Sequence, residues 1–181
     1  MSALYLLVNQ FVISVPLAFS WHGALRFVDR WRDFVPACLL VLAAFVAWDI
    51  PFAARGVWGF NEAYLLGPSF AGLPLEEWLF FLCIPYACVF TYHSLGVLGA
   101  GALGLRIARG LTLSALVLCI VLVVAFHDRL YTGITSGLLA IFLSWLAWKR
   151  PPWLGRLWFS FLVLIAPFVV TNGVTRPVFS R

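Results

Sequence analysis

The sequence predicts an all-α fold, an integral membrane bundle of about six transmembrane helices. Three observations lead there. Hydrophobic residues make up 64% of the 181-residue chain and charged residues only 10%, against roughly half and a quarter in ordinary soluble domains. The mean hydropathy is +1.01. The apolar residues also fall in long runs without the alternation that barrel strands carry. A soluble domain of this size could not hide so much apolar surface. Lipid is the natural solvent, and there the backbone must pair with itself inside helices.

Taken in order, the apolar runs place helices at 3–20, 34–50, 76–95, 111–126, 132–148 and 157–172. The first has no basic segment ahead of Tyr5-Leu6-Leu7, which argues against a cleaved signal peptide. The second ends at Trp48-Asp49, just before Pro51. The third opens on Pro74-Leu75-Glu76-Glu77, with proline where a first turn tolerates it, and carries Pro85, which frees the Phe81 carbonyl and kinks the span. The fourth and fifth are joined by a short connection at 126–132 and form an antiparallel pair. The sixth ends near Asn172. Several spans fall short of the roughly 20 residues that cross a hydrocarbon core, so interfacial Trp and Tyr are expected to extend them. The chain has nine Trp, mostly near the ends of the runs.

Charge placement sets orientation rather than naming a partner. The net charge of +5 would suggest nucleic acid in a soluble protein, but the basic residues sit in short loops between apolar runs, so no nucleic-acid partner is expected. Arg26, Arg30, Arg32, Arg106, Arg109, Lys149, Arg150 and Arg156 lie on one side, and Arg55, Arg129, Arg176 and Arg181 on the other. The richer side is read as cytoplasmic, which places both termini outside in an inner or plasma membrane. Cys38, Cys83, Cys88 and Cys119 lie in apolar runs without CxxC spacing and read as small buried hydrophobes.

A faint repeat divides the chain. An apolar helix, a basic loop and a helix ending in a polar residue occur twice, offset by about 123 residues, so that Arg26 falls on Lys149 and Asp49 on Asn172. Residues 1–110 hold three helices and the Pro74–Glu77 motif; residues 111–181 hold three helices and no such motif, as an incomplete or shortened second copy.

Ionisable groups at membrane depth are functional candidates by default. Asp49 closes the second helix, Glu76 and Glu77 open the third, and the sixth ends at Asn172, all on one membrane face. Three carboxyl groups and an amide can gather there beside Trp48, Trp58, Trp78, Phe80 and Phe81. Carboxyl groups crowded in a dry site do not all ionise, which leaves an acid beside a base, and aromatic faces suit a cation. Acidic residues also cap helix starts, so a purely structural role for Glu76 and Glu77 stays open. His93 is 16 residues past Glu77, about 24 Å along a helix, too far for direct proton exchange. Gly99-Ala-Gly101-Ala-Leu-Gly104 matches a dinucleotide fingerprint, but no strand precedes it and no βαβ unit surrounds it. No metal-binding or serine-triad spacing appears.

With Trp48-Asp49, Gly56-Val-Trp58-Gly-Phe-Asn61, Pro74-Leu-Glu-Glu-Trp-Leu-Phe-Phe81 and Ile84-Pro-Tyr86, the chain resembles the membrane-integral lycopene cyclase domains of heterodimeric bacterial and fungal fused enzymes. Trp153-Leu-Gly-Arg156, Pro167-Phe168 and Asn172-Gly173 extend the resemblance over nearly the whole chain. It implies cofactor-independent carotenoid biosynthesis: ring closure in an apolar, lycopene-like polyene held in the lipid bilayer. Glu76 or Glu77 would be the acid, the other glutamate or Asp49 the base, and the aromatic residues and Asn172 would line the cation. Two departures stand out. The family carries glutamate where this chain has His93, and its second acidic motif is absent, so a partner subunit or a second copy would complete the site. A carotenoid hydratase using the same cation, a transport subunit binding protons or ions at the carboxyl groups, and a non-catalytic scaffold are the competing expectations.

Overall fold

The computed structural model describes residues 3–57, 59–60 and 64–179, with side chains through residue 170. Six α-helices account for most of it: α1 (Leu4–Phe19), α2 (Trp31–Ala54), α3 (Leu75–Val97), α4 (Leu105–Ala125), α5 (Leu130–Lys149) and α6 (Leu154–Phe179). The all-α membrane bundle read from the sequence is what forms. The stretch Phe27–Ala54 and helices α3, α4 and α5 are long and apolar enough to cross a membrane; α1 and Leu154–Val170 are shorter apolar helices. Between a sixth and a third of each long span is buried by protein. The rest presents Leu, Val, Ile and Phe outward, Val117, Val121 and Val124 of α4 among them, as lipid-facing helices do.

Most helices outrun their apolar cores. Helix α4 begins at Leu105 rather than near 111 and takes Arg106 and Arg109 into its first turns, a position long basic side chains tolerate at a membrane boundary because their stems are apolar. At the end of α5 the Lys149 ammonium lies 4.5 Å from the Trp148 ring centroid, a basic and aromatic pair of the interfacial kind. Helix α2 corrects the sequence reading directly. It runs through Pro51 to Ala54, so Asp49 lies inside the helix rather than closing it. Proline removes one backbone bond there, and in lipid the remaining bonds are too costly to give up.

The chain divides into two compact units: residues 1–100 with 163–181, and residues 101–162. In the first, α1, α2 and α3 run up, down and up. The direction follows from the contacts. Asn9 meets Glu76 while Ser20 meets Tyr86, so α1 and α3 are parallel; Trp31 meets Tyr86 while Phe45 meets Phe81, so α2 runs against them. A 3₁₀ turn, Phe27–Arg30, leads into α2 and buries Phe27 against Tyr86 and Phe90. His93 packs on this ring at 5.3 Å and its Nε2–H donates to the Leu25 carbonyl at 2.7 Å. That contact makes it a packing residue, as its distance from the glutamates requires.

The kink residue has a partner the sequence does not announce. Pro85 has no N–H to give the Phe81 carbonyl, and the Cys38 thiol of α2 donates to it instead, at 4.0 Å. A second buried polar cluster sits one turn further on. The Trp31 indole N–H donates to the Tyr86 hydroxyl at 3.2 Å, Tyr86 donates to Ser20 Oγ, and Ser20 donates to the Pro16 carbonyl at 2.8 Å.

In the second unit α4 and α5 pack as a hairpin around Ala108, Cys119, Leu143 and Leu146, with Leu154 at the start of α6 completing the core. The Trp158 indole N–H donates to Thr112 Oγ1 at 2.8 Å. The Leu103 amide donates to the Gly155 carbonyl at 3.2 Å, and a Cβ on Gly155 would run into the Leu103 carbonyl oxygen. Of the Gly99, Gly101 and Gly104 trio only Gly99 needs its positive φ, and none has an atom within 4 Å of where a Cβ would stand. These glycines end one helix and lead to the next.

Candidate functional site

The carboxyl groups lie near the level where α2 ends and α3 begins, and a feature absent from the sequence reading fixes the start of α3. Strands β1 (Ser69–Phe70) and β2 (Leu73–Pro74) form a minimal hairpin around Ala71 and Gly72, both at positive φ. Paired positive φ values are those of the tight turn that matches strand twist, and glycine supplies the second at no steric cost. The hairpin seats Leu73, fully buried, against Val46 and Phe81. The Leu75 amide donates to the Pro68 carbonyl at 3.0 Å, and the Trp78 indole N–H latches onto the Phe70 carbonyl at 3.3 Å. The start of α3 is therefore clamped before its acidic residues are reached.

Glu76 and Glu77 do not face each other. Neighbours on a helix point about 100° apart, so the pair is divided between two surroundings. Glu76, 3% exposed, faces α1 and the loop ahead of the hairpin. Its Oε1 accepts the Leu66 backbone N–H at 2.6 Å, and its backbone carbonyl accepts from Asn9 Nδ2 at 2.8 Å. Its Oε2 is buried and has no hydrogen-bond partner. Glu77, half-buried, lies within electrostatic reach of Asp49 on α2, which is itself buried. Glu76 is thus gripped apart from Glu77, and it is Glu77 that lies toward Asp49.

The aromatic residues divide as well. Phe81 is buried and stacks on Phe45, centroids 5.3 Å apart, with the half-exposed Phe80 against its edge at 5.7 Å. Trp78 meets Phe70 of the hairpin edge-on at 5.7 Å. Trp48 stacks along its own helix on Phe52, 4.9 Å away. Trp58 lies outside the described residues, and so does the side chain of Asn172. Among the described residues no cluster of His, Cys, Asp and Glu is arranged to hold a metal ion.

Sequence reasoning missed Asn9 and the Leu66 amide. A signal for Asn9 was present, since a lone amide in an apolar span is as unusual as a lone carboxyl. A backbone N–H is offered by every residue, so nothing in the sequence singles out Leu66. Chemically, the site offers one carboxyl held at a single oxygen with the other unmatched, a further carboxyl at Glu77 within electrostatic reach of Asp49, and apolar and aromatic neighbours.

Comparison with known proteins returned a single finding. No match was found among curated proteins or among solved structures. The family model for lycopene cyclase matches residues 2–95 and 128–180, taking in α1–α3 with the carboxyl cluster and then α5 and α6, while α4 falls in the stretch left out. With most of the chain matched, including every residue of the acidic cluster, the chain belongs to the lycopene cyclase family.

Proposed function

We propose that this membrane protein closes a ring at the end of a lycopene-like polyene by proton transfer alone, with Glu76 as the acid and the Asp49–Glu77 pair as the base. The observation that carries the reading is Glu76 itself: buried, tied at Oε1, and open at Oε2. In the acid form the proton on Oε2 moves to the inner, hydrogen-bearing carbon of the terminal double bond. A tertiary carbocation results, the neighbouring double bond attacks it, and a carbon–carbon bond closes the ring. A carboxylate of the Asp49–Glu77 pair then takes a proton from the adjacent carbon, and a double bond re-forms. One proton enters, one leaves, and the oxidation level is unchanged, so the reaction calls for no redox cofactor. The Phe80, Phe81 and Trp78 rings favour the cation through their π-faces. The apolar surroundings keep water from trapping it as an alcohol.

Both termini are read as outside the cytoplasm, from the distribution of arginine and lysine over the loops. Residues 1–110 are read as the repeat that carries the acidic motif and 111–181 as part of a second, and a partner subunit or a second copy of this chain is read as able to join the site. The test is production of the chain, alone and with a cognate candidate subunit, in a lycopene-accumulating bacterium, followed by pigment chromatography. Cyclic products are expected. Hydroxylated acyclic products would make the protein a hydratase, and unchanged lycopene in both backgrounds, with the protein shown to be inserted, would overturn the cyclase reading.

A further inference from the structure

Asn9 stands midway along the apolar helix α1 and is 4% exposed. Its Nδ2 donates to the Glu76 backbone carbonyl at 2.8 Å, while its Oδ1 is buried without a hydrogen-bond partner. Glu76 shows the same asymmetry, with Oε1 bonded to the Leu66 amide and Oε2 buried and unmatched. Buried polar atoms are nearly always satisfied, so two residues that bond to each other and each leave one oxygen empty mark a place built for something other than packing.

We propose that Asn9 is a positioning residue for Glu76: its amide locks the first turn of α3 against α1, so that together with the Leu66 N–H it holds the Glu76 carboxyl in one orientation, with Oε2 turned to the substrate. The inference rests on the reading of Glu76 as the acid. A glutamate side chain has three rotatable bonds, and a grip on Oε1 alone, from a loop, would leave the helix beneath it free to shift. Anchoring the backbone carbonyl removes that freedom. Asn9 itself touches no reacting atom and acts through Glu76.

The test uses the full chain in membranes, as wild type, Asn9→Leu and Asn9→Gln, with two readouts. The first is the kinetics of lycopene cyclisation. Asn9→Leu is expected to lower kcat roughly 10- to 100-fold, the scale of an ångström of misplacement, while KM stays within about threefold. Asn9→Gln, which keeps the amide, is expected to recover most of that loss. The second is labelling by dicyclohexylcarbodiimide, which attacks carboxylic acids in lipid, quantified by peptide mass spectrometry as the ratio of Glu76 to Glu77. Asn9→Leu is expected to shift this ratio, because only Glu76 loses its anchor, whereas general loosening of the helices would raise labelling at both together. An unchanged kcat, an Asn9→Gln variant as impaired as Asn9→Leu, or an unchanged labelling ratio would each overturn the proposal. If the wild-type chain cyclises nothing, the proposed function fails, and the labelling ratio alone decides whether Asn9 positions Glu76.

Discussion

Replacing Glu76 with glutamine removes the proton and little else. The amide oxygen of glutamine can accept the Leu66 N–H as Oε1 does now, at 2.6 Å, and the side chain has the same length. What changes is the position of Oε2, which gains an N–H₂ group where no partner stands. A buried unmatched donor costs about 1–3 kcal/mol, so Glu76→Gln is expected to lower the thermal midpoint modestly. Its effect on turnover is far larger. General-acid catalysis contributes roughly 10²–10⁴-fold, or about 2.7–5.4 kcal/mol in the barrier, and on the proposed reading Glu76 is the group that supplies the proton. Glu77→Gln and Asp49→Asn each leave one member of the base pair, so each is expected to cost less than Glu76→Gln. The double variant should cost more than the singles combined, as groups that stand in for one another do. The assay is initial-rate cyclisation by membranes with matched protein content, quantified by chromatography. Glu76→Gln turning over within roughly tenfold of wild type would refute the assignment of the acid, and so would its matching Glu77→Gln.

Three further predictions test how the scaffold holds this site. Cys38→Ala strands the Phe81 carbonyl that Pro85 cannot serve, at an expected cost of about 1–3 kcal/mol; in a Pro85→Ala background, where an amide returns, the cost should shrink, and detergent unfolding that finds the two changes additive would refute the thiol's role. Tyr86→Phe leaves the half-buried Trp31 indole N–H unmatched and should lower Tm by about 2–4 °C for each kcal/mol lost, at about 1–3 kcal/mol in all, while an unchanged Tm would show the network to be dispensable. Gly155→Ala drives a methyl into the Leu103 carbonyl, backbone that cannot swing aside, and should cost about 1–3 kcal/mol; Gly133→Ala, with nothing within 4 Å, should be neutral or stabilising, and equal effects in unfolding experiments would refute the close approach.

Much of this architecture was legible in the sequence because lipid imposes few choices. Runs of Leu, Val and Phe located all six helices, and loop chemistry located the start of α3 at Pro74. Ends were less legible for a physical reason: Arg106 and Arg109 are poor lipid residues by composition yet continue α4, as long side chains with apolar stems can, and Trp31 opens α2 with its indole N–H satisfied inward by Tyr86. Pro51 misled for a related reason, as a proline that ends a helix in water is carried through in a bilayer. The carboxyl cluster was visible as a set of residues, but its internal division was not. Helical geometry alone says that Glu76 and Glu77 diverge; only the packing says that the Glu76 carboxyl meets the Leu66 amide, above a backbone carbonyl held by Asn9, and that Glu77 lies toward Asp49. The hairpin at Ser69–Pro74 gave no signal, because Ala71-Gly72 is not among the residue pairs that announce such a turn.

The two buried polar clusters of the first unit show how a site differs from a strut in an apolar protein. At the Tyr86 level every donor has an acceptor: Trp31 gives to Tyr86, Tyr86 to Ser20, and Ser20 to the Pro16 carbonyl. Nothing is left over, and such a closed chain fixes the register of three helices without inviting a ligand. About ten residues away along α3, some 15 Å by helical rise, the same three helices meet again around polar groups, and there the account does not close. Asn9 Oδ1 and Glu76 Oε2 remain unmatched, and Glu77 lies within electrostatic reach of Asp49. Unmatched buried oxygens are expensive anywhere and more so where lipid replaces water, so their retention beside a fully matched cluster on the same helices separates the two roles. The Tyr86 end holds the bundle in register, and the Glu76 end, held open at that cost, is the place the proposed proton transfer requires.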